Sequence, residues 1–274
     1  MSLAELQAMF GRLCIDEAFR EWFALAPDAA GAKYKLTRLE KSVLRELDLD
    51  SLRSFSRSLL SKYERSIETP FELSRILLKD RLNFLYSRYY DLHPPQPGVS
   101  REVWSVSFGN FLLQTLAADG EASTLARDVC RYECAVNELR VLSVPQWDRP
   151  ARDDNSIGEA RVYLAPGTLV RRFDHDIPAI AISLLRDPNI ASSIQPKVTT
   201  VVFRKPSNTI PPQMFYVSEG TADLLEMCAD GIEFADLRNA FIGDQLDPDP
   251  YTEIDHAVEN ALSAGLIVAT NIIR

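Results

Sequence analysis

Residues 198–217, VTTVVFRKPSNTIPPQMFYV, contain two short runs of β-branched and aromatic residues. The runs cover residues 198–203 and 214–217, and three prolines lie in the segment between them. Short runs of this composition, bounded by proline, glycine or asparagine, are typical of β-strands. We therefore predict two strands here, of which residues 214–217 form the last strand of a small antiparallel sheet.

The pattern changes on both sides of this pair. Upstream, two runs of similar composition cover residues 162–164 and 169–173, and a short helix is predicted over residues 178–185. Downstream, hydrophobic residues recur at helical spacing, and each pattern ends at a glycine that can cap a helix. These downstream helices are predicted over residues 221–228, 234–241 and 251–263. Strands followed by three helices, the last two separated by a tight turn, are typical of a winged-helix-like module.

The first half of the chain has only helical patterns. Apolar residues recur every three or four positions as far as residue 139, and the strongest interruption is Pro94-Pro95-Gln96-Pro97-Gly98. A polar segment over residues 145–158 indicates a linker. We predict an α+β protein, with an N-terminal all-α helical domain over residues 1–150. A winged-helix-like domain, made of a small antiparallel sheet plus three helices, is predicted over residues 159–274.

The composition is that of a globular protein, with 46% apolar and 25% charged residues. No apolar run is long enough to span a bilayer, and the N-terminus lacks the basic segment and apolar core of a signal peptide. We expect a cytoplasmic protein with no membrane partner. The four cysteines, Cys14, Cys130, Cys134 and Cys228, have the spacing of neither a disulfide framework nor a zinc site. We expect them to be reduced core residues.

The sequence contains no recognisable catalytic constellation. It lacks a nucleophile elbow, a glycine-rich phosphate loop and a His-Glu-x-x-His motif, and it has only three histidines. The most suggestive cluster is Asp174-His175-Asp176, which is either a solvated turn before Pro178 or part of a metal site. We predict no catalytic residues, no metal ligands and no enzymatic activity, with an orphan metalloenzyme that uses His175 as the minor alternative.

Charge is distributed unevenly along the chain. Residues 206–274 contain twelve acidic and two basic residues, whereas residues 1–92 are nearly neutral. A winged helix that binds DNA needs basic residues on its recognition helix. The corresponding helix, residues 251–263, carries Glu253, Asp255 and Glu259 and no lysine or arginine. We therefore do not expect nucleic acid binding, although a winged-helix transcriptional regulator remains the alternative function.

Three segments together resemble a family of proteins that have been classed as DNA-binding domains and that accompany multinuclear non-heme iron oxidases of peptides. The first segment is residues 123–135, STLARDVCRYECA, which resembles the family's Leu-Ala-x-x-Ala-Arg-x-Glu-Trp-Ala helix. The second runs from LAPGTLV at residues 164–170 to IPAI at residues 177–180, and the third combines VFRKP at residues 202–206 with SEGTADLL at residues 218–225. The sequence departs from the family at Cys134, where tryptophan is common, and at Ala165, where histidine is common.

The closing region, residues 218–265, is also similar to the peptide-chaperone module of pyrroloquinoline quinone biosynthesis. The overall plan most resembles the accessory subunits of thiaglutamate biosynthesis. The resemblance implies a non-catalytic subunit that binds the leader of a ribosomally synthesised precursor peptide. It also implies a heterodimer with a non-heme iron oxidase, in which the partner holds the iron and this chain has no cofactor.

The resemblance further implies that the leader adds as a strand to the edge of the small sheet and contacts the third helix. Carried onto this sequence, the peptide-binding residues are Met214, Phe215, Tyr216 and Val217 on the strand and Ile254, Val258, Ala261 and Leu262 on the helix. These apolar positions are alternatively ordinary core residues. An acidic rim of Asp247, Asp249, Glu253 and Asp255 favours a basic leader, and the N-terminal helical domain is expected to dock the partner.

Overall fold

The computed structural model describes residues 3–93, 99–120, 122–145, 160–242 and 250–271. The chain forms two compact units, Met1–Ala118 and Asp119–Arg274. Helices and two three-stranded antiparallel sheets together confirm the predicted α+β class. The prediction of a single small sheet is wrong, because the described strands divide into two sheets that share no strand.

The described part of the first unit is helical throughout. Its helices are α1 (Leu3–Ile15), α2 (Glu17–Leu25), α3 (Pro27–Ala30), α4 (Arg38–Arg45), α5 (Leu49–Glu68), α6 (Glu72–Leu78), α7 (Asp80–Leu92) and α8 (Arg101–Ala118). Polar side chains satisfy free backbone amides where helices begin: Asp16 caps α2, and Thr37 with Glu40 forms a capping box on α4. Packed aromatic rings, among them Phe71, Tyr89 and Phe108, fill the interior around α7 and α8.

The second unit combines the remaining elements. In chain order these are α9 (Thr124–Val141), β1 (Ala160–Leu164), β2 (Thr168–Phe173), α10 (Ile177–Arg186), a 3-10 helix (Pro188–Ser193), β3 (Thr199–Arg204), β4 (Gln213–Val217), α11 (Glu219–Met227), β5 (Ile232–Glu233), α12 (Phe234–Ile242), α13 (Pro250–Ser263) and β6 (Ile267–Asn271). The four predicted strands correspond to β1 to β4, and the predicted helices correspond to α10 to α13. The two strands that the sequence reading missed are β5 and β6.

One sheet has the strand order β2-β3-β4, and the other has the order β5-β1-β6. A tight turn at Gly167 joins β1 to β2 and so connects the two sheets. Gly167 has a φ of 81°, and a Cβ atom there would lie 2.6 Å from the carbonyl oxygen of Lys205. Only glycine fits this turn without strain.

Helix α9 packs against β2 and β3, where the Tyr132 ring contacts the rings of Phe173 and Phe203. This helix was predicted in the N-terminal domain, whereas the compact units divide before it, after Ala118. The predicted linker lies outside the described residues apart from Pro145. The functional boundary between residues 150 and 159 therefore stays a prediction.

Candidate functional site

Strand β4 lies at the edge of its sheet. It pairs with β3 in the register Thr200–Val217 to Arg204–Gln213, and no described strand pairs with its other side. Among the described residues, the backbone of residues 214–217 forms no hydrogen bond outside this pairing. Edge strands of this kind present free backbone donors and acceptors to another extended chain.

The side chains of β4 alternate between the two faces of the sheet. Met214 and Tyr216 project on one face, where 47% and 60% of their surface is exposed. Phe215 and Val217 project on the opposite face, where they are half-buried against the core that α11, α12 and α13 form. The edge therefore offers apolar side chains on both of its faces.

A hydrogen-bonded cluster holds Tyr216 in place. Its hydroxyl donates to Oδ1 of Asp176 at 2.9 Å, and Nζ of Lys197 donates to Oδ2 of the same carboxylate at 2.7 Å. Asp176 is also the N-cap of α10, since it accepts a hydrogen bond from the amide of Ala179. The exposed ring of Tyr216 is thus anchored by an element forty residues earlier in the sequence.

The cluster shifts the pKa values of both groups. Burial raises the pKa of Tyr216, and the hydrogen bond to the Asp176 carboxylate raises it further, to about 12. Burial acts to raise the pKa of Asp176, but the hydrogen bonds from Lys197, Tyr216 and Ala179 together lower it. At neutral pH the cluster is therefore a neutral phenol that donates to an ionised carboxylate.

An open groove of about 700 Å³ lies where β4 ends and β3 begins. Its lining combines charged, hydroxyl and apolar groups from Asp176, Lys197, Val198, Thr199, Thr200, Tyr216, Val217 and Glu219. The groove thus continues the open edge of β4 towards the N-termini of α10 and α11.

Arg172 forms a cluster of ion pairs beside the groove. It lies on β2 and forms ion pairs with Glu219 at 2.9 Å, Asp223 at 2.5 Å and Glu226 at 2.5 Å, all on α11. Hydrogen bonds from Thr200 and from Arg172 lower the pKa of Glu219, so this carboxylate is ionised at neutral pH. The arrangement fixes α11 against the face of the sheet opposite Tyr216.

The helical half of the predicted site lies mainly in the core. Ile254, Val258 and Ala261 of α13 are 8%, 1% and 3% exposed, and Leu262 packs against the same core from its border. Their neighbours in this cluster include Val162 of β1 and Val202 of β3. Three of the four helix positions are therefore core residues in this structure, and only the strand residues combine exposure with an open backbone.

The predicted acidic rim is only partly described. Asp247 and Asp249 lie outside the described residues, as does the side chain of Glu253. Asp255 forms an ion pair with Arg238 of α12 at 2.8 Å. The acidic residues that the structure places near the open edge are instead Asp176 and Glu219, which line the groove.

His175 does not lie in a solvated turn. Its side chain is buried, and both its backbone amide, at 3.0 Å, and its Nδ1 atom, at 2.9 Å, contact Oδ2 of the buried Asp128 on α9. Its neighbours diverge, because Asp174 is exposed whereas Asp176 joins the Tyr216 cluster. Within the part of the chain that the structure describes, no three histidine, cysteine or acidic side chains are grouped to hold a metal ion.

The cysteines agree with the core interpretation. All four are free thiols; Cys14, Cys130 and Cys228 are buried, and Cys134 is half-buried. The sulfur atoms of Cys130 and Cys134 lie 4.0 Å apart on successive turns of α9. Burial raises the pKa of Cys228 to about 11, which keeps this thiol protonated and unreactive at neutral pH.

The contacts that surround the edge strand were not predicted from the sequence. Asp176 could have been recognised as an N-cap, because it stands two residues before Pro178 at the start of a helical pattern. Its contact with Tyr216, and the contacts of Arg172 with α11, join residues far apart in the sequence. No local pattern carries that information.

No model of a protein family matches this sequence, and no curated protein matches it. None of the helices in the described residues is both long enough and apolar enough to cross a membrane.

Proposed function

We propose that this chain is a non-catalytic, cytoplasmic subunit that binds an extended peptide by strand addition along β4. The observation that carries the proposal is the open edge of β4, which has exposed Met214 and Tyr216 on one face and half-buried Phe215 and Val217 on the other. In an added strand, main-chain hydrogen bonds supply affinity, and alternate side chains supply specificity.

Magnitudes indicate that the side chains matter as much as the backbone. A typical protein hydrogen bond contributes about 1 kcal/mol net, and roughly two or three residues of a five-residue edge strand face outward. Association opposes this gain by about 4 kcal/mol or more. Measurable affinity therefore requires the peptide to bury apolar side chains against both faces of the edge.

We also propose that α11, β5, α12, α13 and β6 form a winged-helix-like arrangement whose middle strand comes from β1. The order helix, strand, helix, helix, strand supports this, as does the antiparallel pairing of β1 with both β5 and β6. Within this interpretation, α13 serves as a core helix beneath the peptide-binding sheet and supplies no open groove wall.

The identity of the peptide and of the partner rests on the family resemblance. It supports a ribosomally synthesised precursor peptide whose leader binds here, and a non-heme iron oxidase that forms a heterodimer with this chain and supplies the iron. The first unit is the proposed docking surface, because several of its helices expose large apolar side chains. They include Trp22 and Leu25 on α2, Phe55 on α5 and Phe84 on α7.

A DNA-binding regulator is the second candidate, and the helix order in the second unit is the observation in its favour. The charge opposes it: α13 contains no lysine or arginine, and Arg238 of α12 is paired with Asp255. Affinity for DNA depends chiefly on basic contacts to phosphate. Peptide binding therefore fits the second unit better.

The test is a selection of short random peptides displayed on their own messenger RNA, with the intact protein as bait. Peptides that are enriched are then synthesised with a fluorophore and titrated by fluorescence anisotropy. We expect affinity for the native protein and a loss of at least about tenfold in Tyr216→Asp, which places a charge on the exposed face of β4. The matched control is Phe84→Asp, an equivalent change on the first unit.

The selection also separates the alternatives. Enriched peptides that bind Tyr216→Asp and the native protein equally well would contradict strand addition at β4. Oxidation of a precursor peptide by this chain alone, with no partner and no added iron, would contradict the non-catalytic role.

A further inference from the structure

The open edge of β4 ends in a region with an excess of negative charge. We infer that the peptide which binds there is apolar along β4 and carries an arginine or lysine at the end that lies over the groove. This inference rests on the proposed function, since it specifies the class of peptide that the same edge accepts.

The charge excess follows from the side chains around the groove and the adjoining face. Asp176 and Glu219 line the groove, Asp223 and Glu226 follow Glu219 on α11, and the exposed Asp174 comes directly after β2. Two cations face them. Arg172 contacts three of the carboxylates, and Lys197 contacts Asp176. On the other face, Arg171 and Glu138 form their own pair at 3.3 Å. These five carboxylates therefore outnumber the two cations that contact them, Arg172 and Lys197.

A strand added to β4 would place one end of the peptide beside these carboxylates. A strand added to β4 lies about 4.8 Å from it and runs along the same line. Residues of the peptide opposite Met214 to Val217 pair with the strand, and the next residues extend over Ser218 and Glu219, where the groove opens. A long basic side chain can keep its apolar stem on Val198, which is 71% exposed, and direct its charge to the carboxylates.

The middle of the peptide would lie beside apolar and aromatic side chains. On one face its side chains lie beside Met214 and Tyr216, and on the other they lie beside Phe215 and Val217. Cross-strand neighbours of these types favour aromatic and β-branched partners. An acidic residue at the groove end would instead meet like charges. The edge therefore selects a short apolar stretch that is followed, or preceded, by a basic residue.

The peptide display selection described above tests this inference. We expect arginine and lysine to be enriched over the input library at one end of an apolar stretch. One enriched peptide is then compared by anisotropy with a version in which each arginine is citrulline and each lysine is norleucine, both of which are uncharged. We expect the charged peptide to bind about fivefold more tightly at low salt, with a smaller difference at high salt.

Two substitutions should move this preference in opposite directions. Lys197→Glu adds negative charge at an exposed position and should increase the ratio of charged to neutral peptide affinity. Asp174→Asn removes an exposed carboxylate outside the Arg172 cluster and should decrease the ratio. Thermal unfolding of both variants verifies that they are folded.

The outcomes separate this inference from the proposed function. The basic-end specificity would be overturned if the enriched peptides depend on Tyr216 but carry no excess of basic residues. It would also be overturned if neither charge substitution changes the ratio of charged to neutral peptide affinity. Strand addition would remain intact in both cases. Selection that enriches no peptide at all would overturn both.

Discussion

Two carboxylates, Asp128 and Asp176, connect distant parts of the second unit. Asp128 of α9 accepts hydrogen bonds from the backbone and the ring of His175, and Asp176 holds Tyr216 on the edge strand. Both bonds join residues more than thirty positions apart. Substitutions at these two positions consequently test different things, the fold at Asp128 and the presentation of the edge at Asp176.

Asp128→Asn should destabilise the protein by about 3 kcal/mol, because it weakens a buried, fully hydrogen-bonded contact to His175. Urea unfolding followed by circular dichroism measures the difference. The matched control is Glu138→Gln on the same helix, whose partner Arg171 is partly exposed, and which should change the free energy of unfolding by less than about 0.5 kcal/mol. Equal small changes in both variants would argue against a structural role for the Asp128–His175 contact.

Tyr216 should ionise at a higher pH than an ordinary tyrosine. Its pKa in the folded protein is about 12, above the usual value of 10.0, so its contribution to stability is complete below pH 10 and is lost as the pH rises through 12. Ultraviolet difference titration of the native protein against Tyr216→Phe isolates this phenol. In Asp176→Asn the phenol should ionise closer to its usual pH, and an unchanged titration would show that Asp176 does not hold it.

At the scale of elements, Arg172 of β2 joins α11 to the sheet by three ion pairs. Arg172→Met removes three ion pairs to that helix and leaves three carboxylates to repel one another. We expect a lower Tm at low salt and a smaller difference from the native protein at high salt, since exposed charges are screened. Arg161→Met, on β1, is the control, because Arg161 donates to the carbonyl oxygen of Gly231 and the structure shows no carboxylate paired with it in the described residues. A difference that persists at high salt would indicate lost packing and not lost charge.

The elements show which parts of the fold the sequence predicts. Strands β1 to β4 were predicted because their β-branched and aromatic runs are local signals. Strand β5 has two residues and is defined by its pairing with Val162, some seventy positions away, so no local pattern reveals it. Helical periodicity identified the apolar face of α13, but it cannot distinguish a groove wall from a core. Ile254 and Val258 were for that reason predicted as binding residues and lie in the core.

At the scale of the whole molecule, charge separates the two candidate functions. The twelve acidic residues after position 205 outnumber two basic ones, and this excess repels polyphosphate. We expect no shift of duplex DNA of random sequence in a gel at low salt, where electrostatic binding is strongest. Binding that weakens steeply with added salt would support a DNA-binding regulator instead.

The two compact units also correspond to the two proposed tasks. The second unit contains the open edge of β4, the groove and the carboxylates that pair with Arg172. The first unit exposes apolar side chains on several helices. The sequence predicted two domains with these two roles, but it did not predict which apolar side chains are exposed, because exposure depends on which helices pack around a side chain. Trp22 and Phe23, neighbours in one helical pattern, differ in this respect: Trp22 is exposed and Phe23 is buried.

The central claim is that a peptide adds to β4 as a strand. Anisotropy with two N-methylated versions of a selected peptide tests it most directly. One version is methylated at alternate amides in one register, and the other at the intervening amides. In an added strand only one set of amides faces β4, so one version should lose at least about tenfold in affinity and the other should bind like the parent. Equal affinity of the two versions would contradict strand addition.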